Sequence, residues 1–259
     1  GEVFSVRGPL NLDRPPQGYP VTIVAGASGA GRHLAAKYAD ISFTAQFDIV
    51  PARAFYADVK SLVAAEGRDP SHVLVMPGLV PVVGATKALA RKKFEQLQRY
   101  VSIEEAIPLL SFFIGHDVSK YPLDEPLPAL EASDAMKSRT ELLQAYAQQK
   151  KLSLRELAMD VAAARGHLLV IGTPIQIADT MQEWFETSAA DGFNILPPFF
   201  PGGLDDFVNE VVPLLQTRGL FRSDYDHSTL RGHLGLPIPD NRRVETRDPV
   251  PHARRSATG

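Results

Sequence analysis

The chain is 259 residues long, 44% apolar and of net charge −3, so it can bury a sizeable core in one or two domains and has no overall basic surface for nucleic acid or an anionic membrane. It contains no cysteine, which removes disulfides, thiolate nucleophiles and cysteine metal sites and fits a reducing compartment. No apolar run approaches the ~20 residues of a membrane helix, and the opening residues lack a basic leader ahead of an apolar core, so the expectation is a soluble, cytoplasmic protein. The first residue is Gly1 rather than methionine, and the chain reads as processed, trimmed or fragmentary.

Residues 1–20 carry Pro9, Pro15, Pro16 and Pro20 with Gly8 and Gly18, a composition for an irregular lead-in. An apolar strand over 21–25 then turns through Gly26-Ala-Ser-Gly29 into a helix over 29–40. Gly26, Ala27, Gly29 and Gly31 let a ligand approach the backbone, and Ser28 can cap the helix while offering its hydroxyl to an anion. A phosphorylated cofactor is the functional reading of this loop, and a tight strand-to-helix turn built of small residues is the plain one.

A second strand is expected over 41–45. After Pro51 comes a helix whose Phe55, Val59 and Leu62/Val63 recur at helical spacing. Residues 73–76 and 79–83 read as a third strand with a bend at Pro77-Gly78, followed by a helix presenting Ala90, Phe94, Leu97 and Val101, with Arg91, Lys92, Lys93 and Gln98 in solvent. Between about 102 and 166 the alternation stops. Pro108, Pro122, Pro126 and Pro128 suggest loop, and helices at 138–150 and 154–165 complete an insertion.

Ser153-Leu-Arg-Glu156 and Thr173-Pro-Ile-Gln176 have the spacing of capping boxes, the second ahead of a helix with Ile177, Met181 and Trp184/Phe185 on one face. A fourth strand is expected at 192–196. The helix after it contains Pro213, which should kink it or mark where one helix yields to another. Residues 241–259, with Arg242-Arg243 and Arg254-Arg255, form a polar tail expected to be mobile. Four strand–helix units imply a parallel sheet covered by helices, which both a doubly wound sheet and part of an eight-fold barrel satisfy.

Two constellations compete for the chemistry. The glycine loop with Tyr146-Ala-Gln-Gln-Lys150, and with Ser133 upstream, superficially matches a short-chain dehydrogenase using an NAD(P) cofactor. Its glycines are spaced one residue short, however, and Tyr146 sits among Gln144, Gln148 and Gln149, where a solvated helix face is the simpler account.

The second constellation is a series of short motifs in one order: Phe4-Ser-Val-Arg-Gly-Pro-Leu-Asn11, Arg14-Pro-Pro-Gln-Gly18, Ala25-Gly-Ala-Ser28, Met76-Pro-Gly-Leu79, Ile171-Gly-Thr-Pro174 and Asp191-Gly-Phe-Asn194. Pro201-Gly-Gly-Leu-Asp-Asp-Phe207, Arg218-Gly-Leu-Phe-Arg222 and Thr229-Leu-Arg231 with Leu234-Gly-Leu236 continue it. Over about residues 1–240 the ensemble resembles the nitrilotriacetate monooxygenase branch of the bacterial-luciferase-like flavin monooxygenases. Tyr225-Asp-His227 departs from the acidic-glycine pair usual there.

The resemblance implies an α/β fold, the C-terminal half of a TIM barrel of luciferase-like type, with residues 102–166 as a helical insertion before the last strand and no N-terminal half. It implies reduced FMN, supplied by a separate NAD(P)H-dependent flavin reductase, and O₂ as oxidant of a small organic amine or sulfur compound. Ser28 would contact the flavin phosphate, with Gly26, Ala27 and Gly29 as close backbone; Arg32, one turn on, could assist but reads as an exposed helix arginine. No catalytic residue follows from the resemblance. The expected partners are the reductase, the organic substrate and either a complementary N-terminal half or a second copy of the chain. A non-catalytic remnant pairing with another chain is the remaining class.

His33, His72, His116, His167, His227, His233 and His252 are scattered without ligand spacing, so no metal site is expected. His116-Asp117 reads as a solvated pair or a substrate entrance, and Trp184 as core.

Overall fold

A computed structural model describes residues 3–5, 7–8, 11–130 and 137–240, and for 137–139 the backbone alone. The tail at 241–259 and Ser133 lie outside these residues. The chain divides into two compact units: Thr22–Asp224, and Gly1–Val21 together with Tyr225–Gly259.

The larger unit is a five-stranded parallel sheet with helices. Strands β1 (Ile23–Ala25), β2 (Ile41–Thr44) and β3 (Leu74–Val83) pair in sequence order, with Ala25 beside Phe43 and Phe43 beside Met76. Strands β4 (Leu168–Gly172) and β5 (Asn194–Ile195) both pair with β3.

Backbone bonds separate the two edges of β3. On the even-numbered edge, Leu74 N–H donates to Asp40 O before β2, and Gly84 N–H donates to Gly172 O at the end of β4. On the odd-numbered edge, Val75 O and Leu79 O accept from Asp191 and Leu196 N–H around β5. The four expected strands therefore lie side by side as β1-β2-β3-β5, without the reversal of direction that a doubly wound sheet carries. β4 is a fifth strand not expected from the sequence; it extends the even edge of β3 beyond the end of β2.

Helix α1 (Gly29–Tyr38) follows β1, and α2 (Ile49–Ala65), capped by Asp48, follows β2. Ala52, Phe55, Val59 and Val63 make the buried stripe of α2, and the last three pack with Ala36, Val73 and Val75. Full burial of each such apolar side chain contributes about 1.5–3 kcal/mol. Helix α3 (Lys87–Gln98) leaves Arg91 and Lys92 in solvent, but Lys93 is half-buried, its ammonium 2.7 Å from Val83 O and 2.6 Å from Asp206 Oδ2. The expected solvated run thus loses Lys93 to a tertiary contact, and Gln98 is half-buried as well.

The insertion holds three helices rather than two: α4 (Ile103–Ile114), α5 (Lys137–Lys150) and α6 (Leu154–Ala164). Pro108 lies inside α4 and does not stop it. Ser102 caps the helix, Glu104 and Glu105 occupy its first turn, and Ala106, Ile107, Leu110 and Ile114 bury one face against α5 and α6. Burial of that face outweighs the single helical hydrogen bond that proline removes.

Both capping boxes form, at Ser153/Glu156 for α6 and Thr173/Gln176 for α7 (Pro174–Glu186). Trp184 is 3% exposed in a core with Leu79, Leu168 and Ala189. Near Pro213 the last helical run changes character as expected, from α8 (Gly202–Asp206) through a π-turn at Phe207–Val211 to α9 (Val212–Thr217).

In the smaller unit, the described residues up to 21 contain no helix or strand, and α10 (Leu230–His233) is a single turn. Arg231 is 1% exposed there. Its guanidinium lies 4.4 Å from the Tyr19 ring centroid and donates to the carbonyls of Tyr19 and Pro237.

Candidate functional site

In a parallel α/β sheet the loops leaving the C-terminal ends of strands collect at one end, and ligands bind there. Here these include the loop 26–28 after β1 and residues 45–48 after β2, adjacent because Ala25 and Phe43 are paired.

The first loop is built as an anion cradle. Ser28 stands at the N-cap of α1 in extended conformation, and its Oγ accepts the Gly31 N–H at 3.1 Å, leaving the hydroxyl proton free to donate outward. The Gly29 and Ala30 N–H groups belong to the first helical turn and have no intrahelical acceptor. A Cβ on Gly31 would come 3.1 Å from the Gly26 carbonyl carbon, so glycine closes the turn, whereas a Cβ on Gly29 would meet nothing within 4 Å. No acidic residue occupies the first turn of α1. Open space over free amides, with no competing carboxylate, fits the phosphate of a mononucleotide.

The structure assigns Arg32 elsewhere: its guanidinium lies 2.9 Å from Asp58 on α2, half-buried rather than the exposed residue expected.

The second feature is a cavity of about 180 Å³ beyond β2, lined by Phe47, Tyr146, Lys150, Asp160, His167 and Leu169 among others. Helices α5 and α6 supply one wall. Tyr146 is not on a solvated face as expected: its ring stacks on Phe47 at 4.7 Å between centroids, and its hydroxyl donates to Asp160 Oδ2 at 2.8 Å. Burial, then the Asp160 charge, pushes the Tyr146 phenol well above its ordinary value. Burial likewise raises Asp160, opposed by the Tyr146 hydrogen bond and the Lys150 charge.

His167 forms the floor, stacked on Phe43 at 5.3 Å. It lies against the sheet only because residue 78 is glycine, since a Cβ there would fall 2.4 Å from His167 Nδ1.

Sequence reasoning missed Phe43, Phe47, Asp160 and His167. A signal existed for one of them: Asp160 borders the apolar arc of α6 formed by Leu157, Ala158, Val161 and Ala164, where a carboxylate needs a reason.

His116 and Asp117 follow the insertion's first helix, at a shallow groove beside Phe112. Asp117 accepts from Ser119 N–H and Oγ, which hold its carboxyl below the usual range. Among the described residues no group of three histidines, cysteines or carboxylates is placed to hold a metal, and no helix is long and apolar enough to cross a membrane.

A parallel sheet with a helix N-terminus open to an anion and a partly aromatic cavity beyond β2 defines an α/β protein with room for a phosphorylated group beside an organic ligand. Residues 1–191 match the family described as luciferase-like monooxygenase, and the chain belongs to it. It is 49% identical over 245 residues to the N-acetyl-S-(2-succino)cysteine monooxygenase of Bacillus subtilis (strain 168), covering 93% of this chain and 56% of that protein. It is 45% identical over 243 residues to nitrilotriacetate monooxygenase component A of Aminobacter aminovorans, covering 93% and 54%. A crystal structure of riboflavin lyase with modified FMN and riboflavin superposes with a TM-score of 0.78 at 28% identity, over 92% of this chain and 52% of that one. The chain spans about half the length of the relatives it matches. Neither the dehydrogenase alternative nor the non-catalytic remnant gains support from these matches, and the Tyr146 hydroxyl that a dehydrogenase would use is held by Asp160.

Proposed function

We propose that this chain is the C-terminal half of the barrel of a two-component flavin-dependent monooxygenase that oxidises a small organic amine or sulfur compound in the cytoplasm. The observation that carries the reading is the strand order β1-β2-β3-β5 with one sheet face left partly uncovered. Val75, Leu79 and Val83 are buried beneath helices, whereas Ile23, Phe43 and Met76, on the opposite face by strand alternation, keep exposure, Ile23 as much as 56%. In a closed barrel such a face is interior.

Reduced FMN, when bound, supplies the electrons that let O₂ deliver one oxygen atom to substrate and the other to water. The rest falls to this chain. Ser28 Oγ and the first-turn amides of α1 hold the phosphate, and Gly26, Ala27 and Gly29 keep the approach open. Phe43, Phe47 and His167 form an apolar wall that excludes water from the neighbouring cavity. Reduced flavin comes from a separate NAD(P)H-dependent reductase; the relative named component A supports a second component.

A barrel half of 259 residues would expose edges and inner side chains, whose burial is worth about 25 cal/mol per Å² and favours association with a complementary half or a second copy. The test is expression of the 259-residue chain alone and with a matching N-terminal half, supplied with reduced FMN, O₂ and a panel of amines and sulfur compounds. Turnover is expected only with both halves. Robust oxygenation by the isolated monomer would overturn the half-barrel reading.

A further inference from the structure

The cavity beyond β2 contains more polar design than an apolar wall requires. Asp160 is half-buried and its Oδ2 accepts from Tyr146, yet its Oδ1 has no hydrogen-bond partner among the described residues. That oxygen is not buried, so water or the donor of a ligand can reach it. Lys150 does not supply that donor. Its exposed ammonium lies 5.9 Å from the Tyr146 ring centroid and makes no ion pair with Asp160. Other charges nearby are acidic: Asp48 lines the same cavity while capping α2, and Glu156, one turn before Asp160, adds repulsion that raises the Asp160 carboxyl. Aromatic surface from Phe47 and Tyr146 completes the lining, and ring faces attract cations.

The geometry points to an ammonium subsite: this cavity takes the protonated amine end of an organic molecule, with Asp160 as counter-ion and Phe47 and Tyr146 as aromatic walls. Tyr146 acts as a positioning residue, since its hydroxyl holds Asp160 Oδ2 and leaves Oδ1 for the ligand. Lys150 stands near the mouth as a competing positive charge. The inference rests on the proposed reading that this end of the sheet receives an organic substrate, and within that reading it selects amine-bearing substrates over acidic ones.

Calorimetric titration of the flavin-free chain with benzylammonium, benzyl alcohol and benzoate tests it, because the three probes share a ring and differ in charge. Benzylammonium should bind tightest. Asp160→Asn should weaken it by about tenfold or more, the loss expected when a charge-assisted hydrogen bond is removed. Lys150→Ala should tighten it by about threefold by removing a like charge at screened distance. Lys150 is exposed, so that variant tests the proposal even where Asp160→Asn folds poorly.

An anion-binding cavity would give the opposite signs. Benzoate binding at least as tightly as benzylammonium, Lys150→Ala weakening the ammonium probe, or no benzylammonium binding at millimolar concentration would each overturn the proposal. The readout needs neither flavin nor turnover, so failure here leaves the monooxygenase reading standing, and a failed reconstitution leaves the subsite standing.

Discussion

The two ends of the parallel sheet are built on opposite terms. At the N-terminal end Asp191, just before β5, accepts from Tyr56 Oη at 2.9 Å and from Val75 N–H at 2.7 Å, and pairs with Lys60 Nζ at 2.8 Å. Lys60 also donates to the carbonyls of Pro70 and Val73, and Asp40 accepts the Thr22 N–H between β1 and β2. Each carboxylate there is spent on backbone or on a neighbour that itself ties two elements. At the C-terminal end there is open space beside Gly29 at the start of α1, and Asp160 Oδ1 is reached by solvent with no protein partner among the described residues. The contrast teaches that the N-terminal end is closed by its own partners, whereas the C-terminal end presents groups that a ligand can reach.

The largest test of that division is Asp191→Ala. It removes the acceptor of three donors and leaves the largely buried Lys60 ammonium without its carboxylate, so unfolding stability should fall by about 3–5 kcal/mol in urea titrations. At equal folded fraction, binding of flavin and of benzylammonium should be unchanged. A loss of ligand affinity with little loss of stability would erase the distinction between the two ends.

Gly78→Ala probes the boundary between them. The new methyl drives against His167, and the ring must leave Phe43 or the strand must shift, at a cost of about 1–3 kcal/mol. Because His167 floors the cavity, benzylammonium affinity should fall as well, which calorimetry on the folded variant would read.

The smallest effect belongs to the insertion. Hydrogen bonds from the Ser153 backbone and hydroxyl lower the Glu156 carboxyl below its ordinary range. A depressed carboxylate contributes stability that is present above its unfolded value, about 4.3, and lost as pH falls through the lower folded value. Glu156→Gln should therefore lower stability slightly at neutral pH and flatten the acid side of the profile below about pH 5, where the parent loses the same contribution.

Local signals made much of this fold readable. Ser28, Ser153 and Thr173 announce their helices through side chains that bond within three residues, and the long apolar run of β3 reads as a strand despite Pro77 and Pro81. What escaped depends on distant partners. Residues 168–172 are short and adjoin a helix, and only pairing with β3 makes them a strand. Pro108 mimics a loop signal until the packing of α4 is known. Tyr146 looks solvated among glutamines because its partners lie outside its own helix, Phe47 far back along the chain and Asp160 on α6. Ser28 was legible as a candidate because anion binding at a helix start is a local property.

The central claim is that the C-terminal end of this sheet holds the phosphate of FMN at Ser28. It is tested most directly by titrating FMN and riboflavin, which lacks the phosphate, into the parent protein and Ser28→Ala, each as the chain alone and reassembled with an N-terminal half, and following flavin fluorescence. The account predicts that Ser28→Ala weakens FMN by about tenfold to a hundredfold while leaving riboflavin affinity unchanged. Equal losses for both flavins, or none for FMN, would contradict it.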